Sequence, residues 1–280
     1  MNTPIDYLLI GNITKDILPD GAMLGGTVSY AAVMAHRLHR RVGIVSRVGK
    51  DAPPLDVLDG IALHRVSAAQ TTTFQNVYEN GVRHQKWTAD GGMLTPDDIP
   101  AAWQTAPIVH LAPIAQEMHP SICAAFPKSL VGVTVQGWLR GRDAANRVQY
   151  RPHPELMAWI RHADIVVLSL NDFFGDRAAM MKLLAAVPLG VETLGAEGCA
   201  VYHRGGRTVV PVIAESETDP TGAGDIFATA FFIRYAETGD WLDAAQFANA
   251  CASLSVTRMG VSGVPSLDEI HARQRELYGK

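Results

Sequence analysis

Short apolar runs alternate with segments of helical period along most of the chain. Ile5–Ile10 is a compact apolar stretch closed by Gly11-Asn12, and Val42–Val48 is another, closed by Gly49-Lys50-Asp51. Runs of that length bounded by turn residues predict buried strands. Between them, Gly25-Gly26 leads into the Ala-rich segment Thr27–Ala35, which predicts a helix with Thr27 or Ser29 near its start. Further strand-like runs fall at Ile108–Leu111, Leu130–Val135, Ile165–Leu170, Val191–Leu194, Ala200–Tyr202 and Arg207–Val212. Helical patterns separate several of them, including Pro154–His162 and Asp176–Ala186. Thr95-Pro96-Asp97-Asp98 opens like a helix, with a threonine cap, proline in the first turn and acids after it. Beyond Val212 the pattern is helical to the end, and Ser266-Leu267-Asp268-Glu269 is a capping box for the last helix. Strands alternating with helices imply parallel pairing in a three-layer α/β sheet.

One stretch breaks this rhythm. Thr71–Trp87 is rich in Thr, Val, Tyr and Phe, with Asn80-Gly81 in its middle. Asn-Gly between β-type runs is a strong hairpin signal. Phe74, Asn76 and Tyr78 alternate with Gln75, Val77 and Glu79, so a small antiparallel insertion is expected here. No repeat or low-complexity segment divides the 280 residues, which read as one domain over 1–280.

Composition narrows the function classes. The formal charge of −4 offers no basic excess for a phosphate backbone, so nucleic-acid binding is not expected. No apolar run approaches the ~18 residues that span a bilayer, so no membrane partner is expected. Met1–Asp6 has no basic leader, and Tyr7–Ile10 is too short for a leader core. Cys123, Cys199 and Cys251 are odd in number and far apart, which suits a reducing, cytoplasmic setting and no zinc site.

Several motifs are missing. No G-x-G-x-x-G follows the first strand, and Gly43–Lys50 imitates a phosphate-binding loop with the wrong spacing. Neither H-E-x-x-H nor G-x-S-x-G occurs. His36 and His39 read as a solvated helix face. The strongest feature is Asp219-Pro220-Thr221-Gly222-Ala223-Gly224-Asp225, running into an apolar helix. Two glycines in a first turn cost about 1 kcal/mol each against alanine. A threonine cap and an acid near the helix dipole do not explain them. An anion resting on the Gly222 and Gly224 N–H groups does, with Asp225 beside it as a base for an attacking hydroxyl.

With these residues the chain resembles the PfkB, or ribokinase-like, family of small-molecule kinases. Asp219–Asp225 matches that family's C-terminal signature, and Gly25-Gly26 with the following helix resembles its N-terminal one. Val45–Asp51, Thr193–Gly198 and Ala248–Gly260 are similar to family segments in the same order. The resemblance implies a three-layer fold whose small β lid runs from about 13–24 and 62–94. It implies ATP with Mg²⁺, and a sugar or polyol as the acceptor partner. It implies Asp225 as base, with Gly222, Ala223 and Gly224 as the anion hole. Asp16, Asn12, Gly25, Gly26, Thr27 and Gln136 would meet the acceptor. Asn171, Thr193, Gly195, Gly198, Thr221 and Asn249 would meet the nucleotide. A monomer, or a homodimer through the lid, is implied too. Without the resemblance, Asp16 reads equally as an ordinary turn acid.

Three positions depart from the family. Tyr30 stands where an Asn is common. Phe174 replaces the Glu of the Asn-x-x-Glu element tied to magnesium, leaving Asp172 as the candidate metal-side acid. Val133–Arg140 replaces an Asp-x-Asn pattern, and its Gln136-Gly137, with Arg140 nearby and Gly25–Tyr30 upstream, is similar to the myo-inositol kinase branch. Arg140 reads equally as a phosphate contact or as a solvated side chain. Phe74, Tyr78 and Trp87 could stack on a base, which keeps a nucleoside kinase as the alternative. A non-catalytic binding protein of the same fold is the third reading.

Overall fold

The computed structural model describes residues 4–19, 21–79 and 82–279. The first half of the chain carries strands β1 (Tyr7–Ile10), β2 (Thr14–Leu18) and β3 (Gly21–Gly25), then helix α1 (Thr27–Arg37). Strands β4 (Val42–Val48), β5 (Ala62–Ser67), β6 (Thr72–Glu79), β7 (Val82–Ala89), β8 (Ile108–Leu111) and β9 (Leu130–Thr134) follow. Next come α2 (Gln136–Leu139), β10 (Arg140–Arg142), β11 (Val148–Tyr150), α3 (Leu156–Trp159), β12 (Ile165–Ser169) and α4 (Arg177–Leu184). The chain ends with β13 (Leu189–Thr193), β14 (Cys199–His203), β15 (Gly206–Val210), α5 (Ala223–Thr238), α6 (Trp241–Ser255) and α7 (Leu267–Tyr278).

Nine strands form the main sheet in the order β15-β14-β13-β12-β9-β8-β1-β4-β5. All pairs are parallel except those made by β14 and β15. The continuous apolar runs follow from cover on both faces. Tyr7 and Leu9 pack with α1, α5 and α6, while Leu8 and Ile10 face Trp103, Trp138 and the α3–α4 side. One polar chain crosses the interior beneath α5: the Tyr7 hydroxyl meets His110 Nδ1 at 3.0 Å, and His110 Nε2 meets Thr134 Oγ1 at 3.2 Å. Burial pushes His110 down to about 3, so it sits there as a neutral bridge.

A second sheet of four strands, β3-β2-β6-β7, is the small insertion. Its hairpin register brings Phe74 opposite Trp87; the Asn80-Gly81 turn lies outside the described residues. Ala62–Ser67, expected in this unit, instead extends the main sheet by pairing with β4, with Leu63 packed on the core of one face and Ala62 and Val66 on that of the other. Two helix expectations shrink. Thr95 does cap a turn through Asp98, but Pro100 follows and only one 3₁₀ turn forms. Pro154–His162 is a single α turn continued by a 3₁₀ turn.

The two sheets are joined at the end of β1. Glu117, 1% exposed, accepts the Asn12 N–H at 2.9 Å, the Ile114 N–H at 3.0 Å and the Ala115 N–H at 2.7 Å. Burial pushes its carboxyl up, and these backbone donors pull it back. Glu117→Ala leaves three buried donors unpaired, and we expect it to lose about 3–5 kcal/mol of stability. Denaturant midpoints test this. Glu117→Gln keeps one acceptor oxygen and loses less, and a loss under about 1 kcal/mol in the alanine variant would remove the carboxylate from its structural role.

Candidate functional site

Strand ends of one polarity meet the first turns of α1 and α5, as expected of an open parallel sheet. Gly222 caps α5 with φ 80°, a conformation that disfavours a side chain. A Cβ there would also lie 2.1 Å from the Tyr30 ring. Packing therefore accounts for Gly222 without an anion. Gly224 differs: nothing stands within 4 Å of its would-be Cβ, so open room lies over the first turn. Ala223 drops out of the expected anion hole, because its N–H turns back to the Pro220 carbonyl at 3.2 Å. Asp219 ties the turn together, accepting the Thr221 N–H at 3.0 Å and the Gly260 N–H at 3.0 Å.

Asp225 points from this turn toward α1. Burial raises its carboxyl, the Thr27 hydroxyl donates to it, Asp172 adds repulsion and Arg140 attraction, and the outcome is about 7. A carboxyl poised there can take a proton near neutral pH. Thr27, expected against the acceptor, is thus hydrogen-bonded to Asp225. Across the corner, Asp16 on β2 receives the Thr14 hydroxyl at 3.0 Å and lies against Gly25. A Cβ on Gly25 would sit 2.3 Å from Asp16 Oδ2, so this glycine makes the approach of the carboxylate possible. Gly26 caps α1 directly beside it.

Three expected contacts are engaged in the fold instead. Asn12 is fully buried: its amide donates to Thr72 and to the Gly92 carbonyl at 3.3 Å each and accepts the Arg47 N–H at 3.0 Å. Gln136 donates to Asp172 Oδ1 at 3.0 Å. Asn249, 3% exposed, donates to the Val210 carbonyl at 2.9 Å and the Tyr278 hydroxyl at 3.1 Å, locking α6 to β15 and α7. Asn171, Thr193 and Gly195 lie at the ends of β12 and β13, and Gly198 packs against β15. Thr193 gives its hydroxyl to the Leu168 carbonyl, and Thr221 is exposed on the turn.

The aromatic pair on the small sheet is also accounted for. Phe74 and Trp87 are buried against Ile114, Ala115 and Val148. Arg140 lies 5.7 Å over the Phe74 ring and Arg142 4.6 Å over Trp87. These rings are therefore not exposed platforms for a base. Arg140, which the sequence left open, joins the small sheet to the charge field of Asp225.

Mg²⁺ finds no cage of side chains. No three His, Cys, Asp or Glu converge among the described residues. Asp172, the candidate acid, accepts from Ser169 N–H and Oγ at 2.7 and 3.0 Å on one oxygen and from Gln136 on the other. Phe174, in place of the family's Glu, is 54% exposed and left-handed at φ 51°. Two surface clefts, of about 630 and 510 Å³, lie away from this corner, one between α1 and α7 and one beside Asp6 and Ile233. Neither gathers Asp16, Asp225 and the glycine turn.

The chain is similar to several known proteins. The sequence profile of the "pfkB family carbohydrate kinase" matches residues 145–267. A cytidine kinase of Thermococcus kodakarensis is 24% identical over 82% of this chain and 88% of its own. An inositol 3-kinase of Arabidopsis thaliana is 26% identical over 90% of this chain and 74% of its own. The structure of a pyrophosphate-dependent kinase in the ribokinase family superposes with a TM-score of 0.80 at 17% identity, covering 95% of this chain and 99% of the other. With its strand order and these likenesses the chain has the ribokinase-like fold, and residues 145–267, which hold the signature turn on α5, match the profile of the PfkB family of carbohydrate kinases.

Proposed function

We propose that the protein transfers a phosphoryl group from ATP to a hydroxyl of a sugar or cyclic polyol. The observation that carries this is the corner itself: a carboxyl poised near neutral pH beside open space over a helix first turn, with a second carboxylate, Asp16 of the small sheet, acting with it on Tyr30. Asp16 accepts hydrogen bonds from acceptor hydroxyls and orients them. Asp225 takes the proton of the attacking hydroxyl as its oxygen bonds to phosphorus and the bond to the leaving phosphate breaks. Gly224, at the positive end of α5, leaves room for the transferred group, and Arg140 supports its charge. The small sheet acts as the lid, with 1–280 as one domain. The burial of Phe74 and Trp87 favours a polyol over a nucleoside. Magnesium is expected to arrive with the donor phosphates. A cytoplasmic setting fits the three buried, free cysteines.

A phosphorylation screen of sugars, polyols and nucleosides, with ATP and with pyrophosphate as donors, tests the reading. Turnover of a polyol with ATP is the expected outcome; no turnover of any acceptor with either donor removes it.

For the accepted substrate, kcat/KM of the wild type should rise with pH through about 7 and level off above, since Asp225 must be ionised to act. Asp225→Asn should erase that limb and lower kcat by about 10²–10⁴-fold.

Gly224→Val should leave thermal stability close to wild type, given the open space at its Cβ, and lower kcat/KM by about 10²-fold or more. Normal kinetics in this variant would move the phosphoryl group elsewhere.

Asp16→Ala should raise the acceptor KM by about 10–100-fold, the equivalent of ~1.5–3 kcal/mol, and leave donor binding unchanged by calorimetry. A loss confined to the donor would reassign Asp16 to the nucleotide side.

A further inference from the structure

Tyr30 occupies the centre of this corner, and its chemistry is not used by the fold. The side chain is 2% exposed. Its ring lies so close over Gly222 that no Cβ fits between them. Its hydroxyl is buried and meets no hydrogen-bond partner. Asp219, Asp225 and Asp16 all act on it electrostatically, and burial with these three acids keeps the phenol protonated. A phenylalanine would supply the same ring, whereas an orphaned buried hydroxyl is unfavourable wherever it stays unpaired. An unpaired hydroxyl set among these three acids points to a partner that arrives with the ligand.

The acceptor's own chemistry indicates what that partner is. A substrate hydroxyl donates one hydrogen bond and accepts others. In their ionised forms Asp16 and Asp225 offer acceptors only, and the Thr27 hydroxyl already donates to Asp225. Oxygen lone pairs of a polyol held between the two acids require donors. Arg140 supplies a charged one near Asp225, and Tyr30 supplies a neutral one that is unpaired. The corner is closed to water around the phenol. A ligand entering between Asp16 and Asp225 parts those walls and gives the hydroxyl its acceptor.

We propose that the Tyr30 hydroxyl donates a hydrogen bond to one oxygen of the bound acceptor, making Tyr30 a specificity-determining residue that reads the position of a single hydroxyl. The inference rests on the kinase reading for the identity of the acceptor class, and on the geometry alone for the contact. A site built to bond a hydroxyl discriminates strongly against an analogue lacking it, because its own polar group is then left unpaired.

The test compares wild type with Tyr30→Phe, which keeps the ring on Gly222. Acceptor binding is measured by calorimetry without donor, donor binding without acceptor, and steady-state kinetics with both. We expect the acceptor Kd and KM to rise about tenfold or more, kcat to change less, and donor Kd to stay within about twofold. Across a set of monodeoxy analogues of the best acceptor, one should bind wild type and variant equally, which identifies the hydroxyl that Tyr30 reads. Equal acceptor Kd in both proteins, or an equal loss for donor and acceptor, overturns the proposal and leaves Tyr30 as a packing ring. If the wild type binds a polyol yet phosphorylates nothing, the kinase reading falls while the ratio of Kd values still decides the role of Tyr30. If it binds no hydroxylated compound at all, both fall.

Discussion

A buried carboxylate holds the working end of this molecule in place. Where β1 and β8 stop, their backbone N–H groups lose the ladder and need other acceptors. Glu117 takes the donors of Asn12, Ile114 and Ala115 at that edge. Asn12, fixed in this way, uses its side chain to seize Thr72 on the small sheet, Gly92 in the loop after it and Arg47 on β4. The position of Asp16 and of the first turn of α1 follows from these bonds, since β2, β3 and α1 are the next segments of chain. Asp16 and the start of α1 are therefore placed by polar atoms that are engaged within the fold.

The electrostatics of the corner follow from that arrangement. Asp225 draws on burial and on Asp172 to rise, and on Thr27 and Arg140 to stay usable. Asp172 is in turn fixed by Ser169 and Gln136. Thr27 and Gln136, which the family resemblance sets against the acceptor, are thus engaged with Asp225 and Asp172.

Much of this was legible in the sequence. The buried strands were readable because cover on both faces makes them continuously apolar, and the glycine turn because an unfavourable helix start needs a reason. The small sheet showed through its composition. What was not legible depends on tertiary neighbours. Asn12, Gln136 and Asn249 look in sequence like free polar groups, and only the fold shows their amides engaged. The first glycine seemed to ask for an anion, and a tyrosine ring from α1 accounts for it. Ala62–Ser67 carried no mark that would separate an edge strand of the main sheet from the insertion beside it.

The hairpin of β10 and β11 does more than carry Arg140 and Arg142. Trp87 on β7 gives its backbone N–H to the Asn146 carbonyl at 2.8 Å, and its own carbonyl accepts from Arg142 at 3.0 Å. Lys86 bridges to Arg147 alongside. The outer edge of β7 is thereby closed at its centre, and an exposed strand edge is the feature on which a second chain templates itself. In this protein a chain adding to the small sheet by strand pairing meets an edge already filled on the β7 side, so β3 is the strand left to register with a copy of itself.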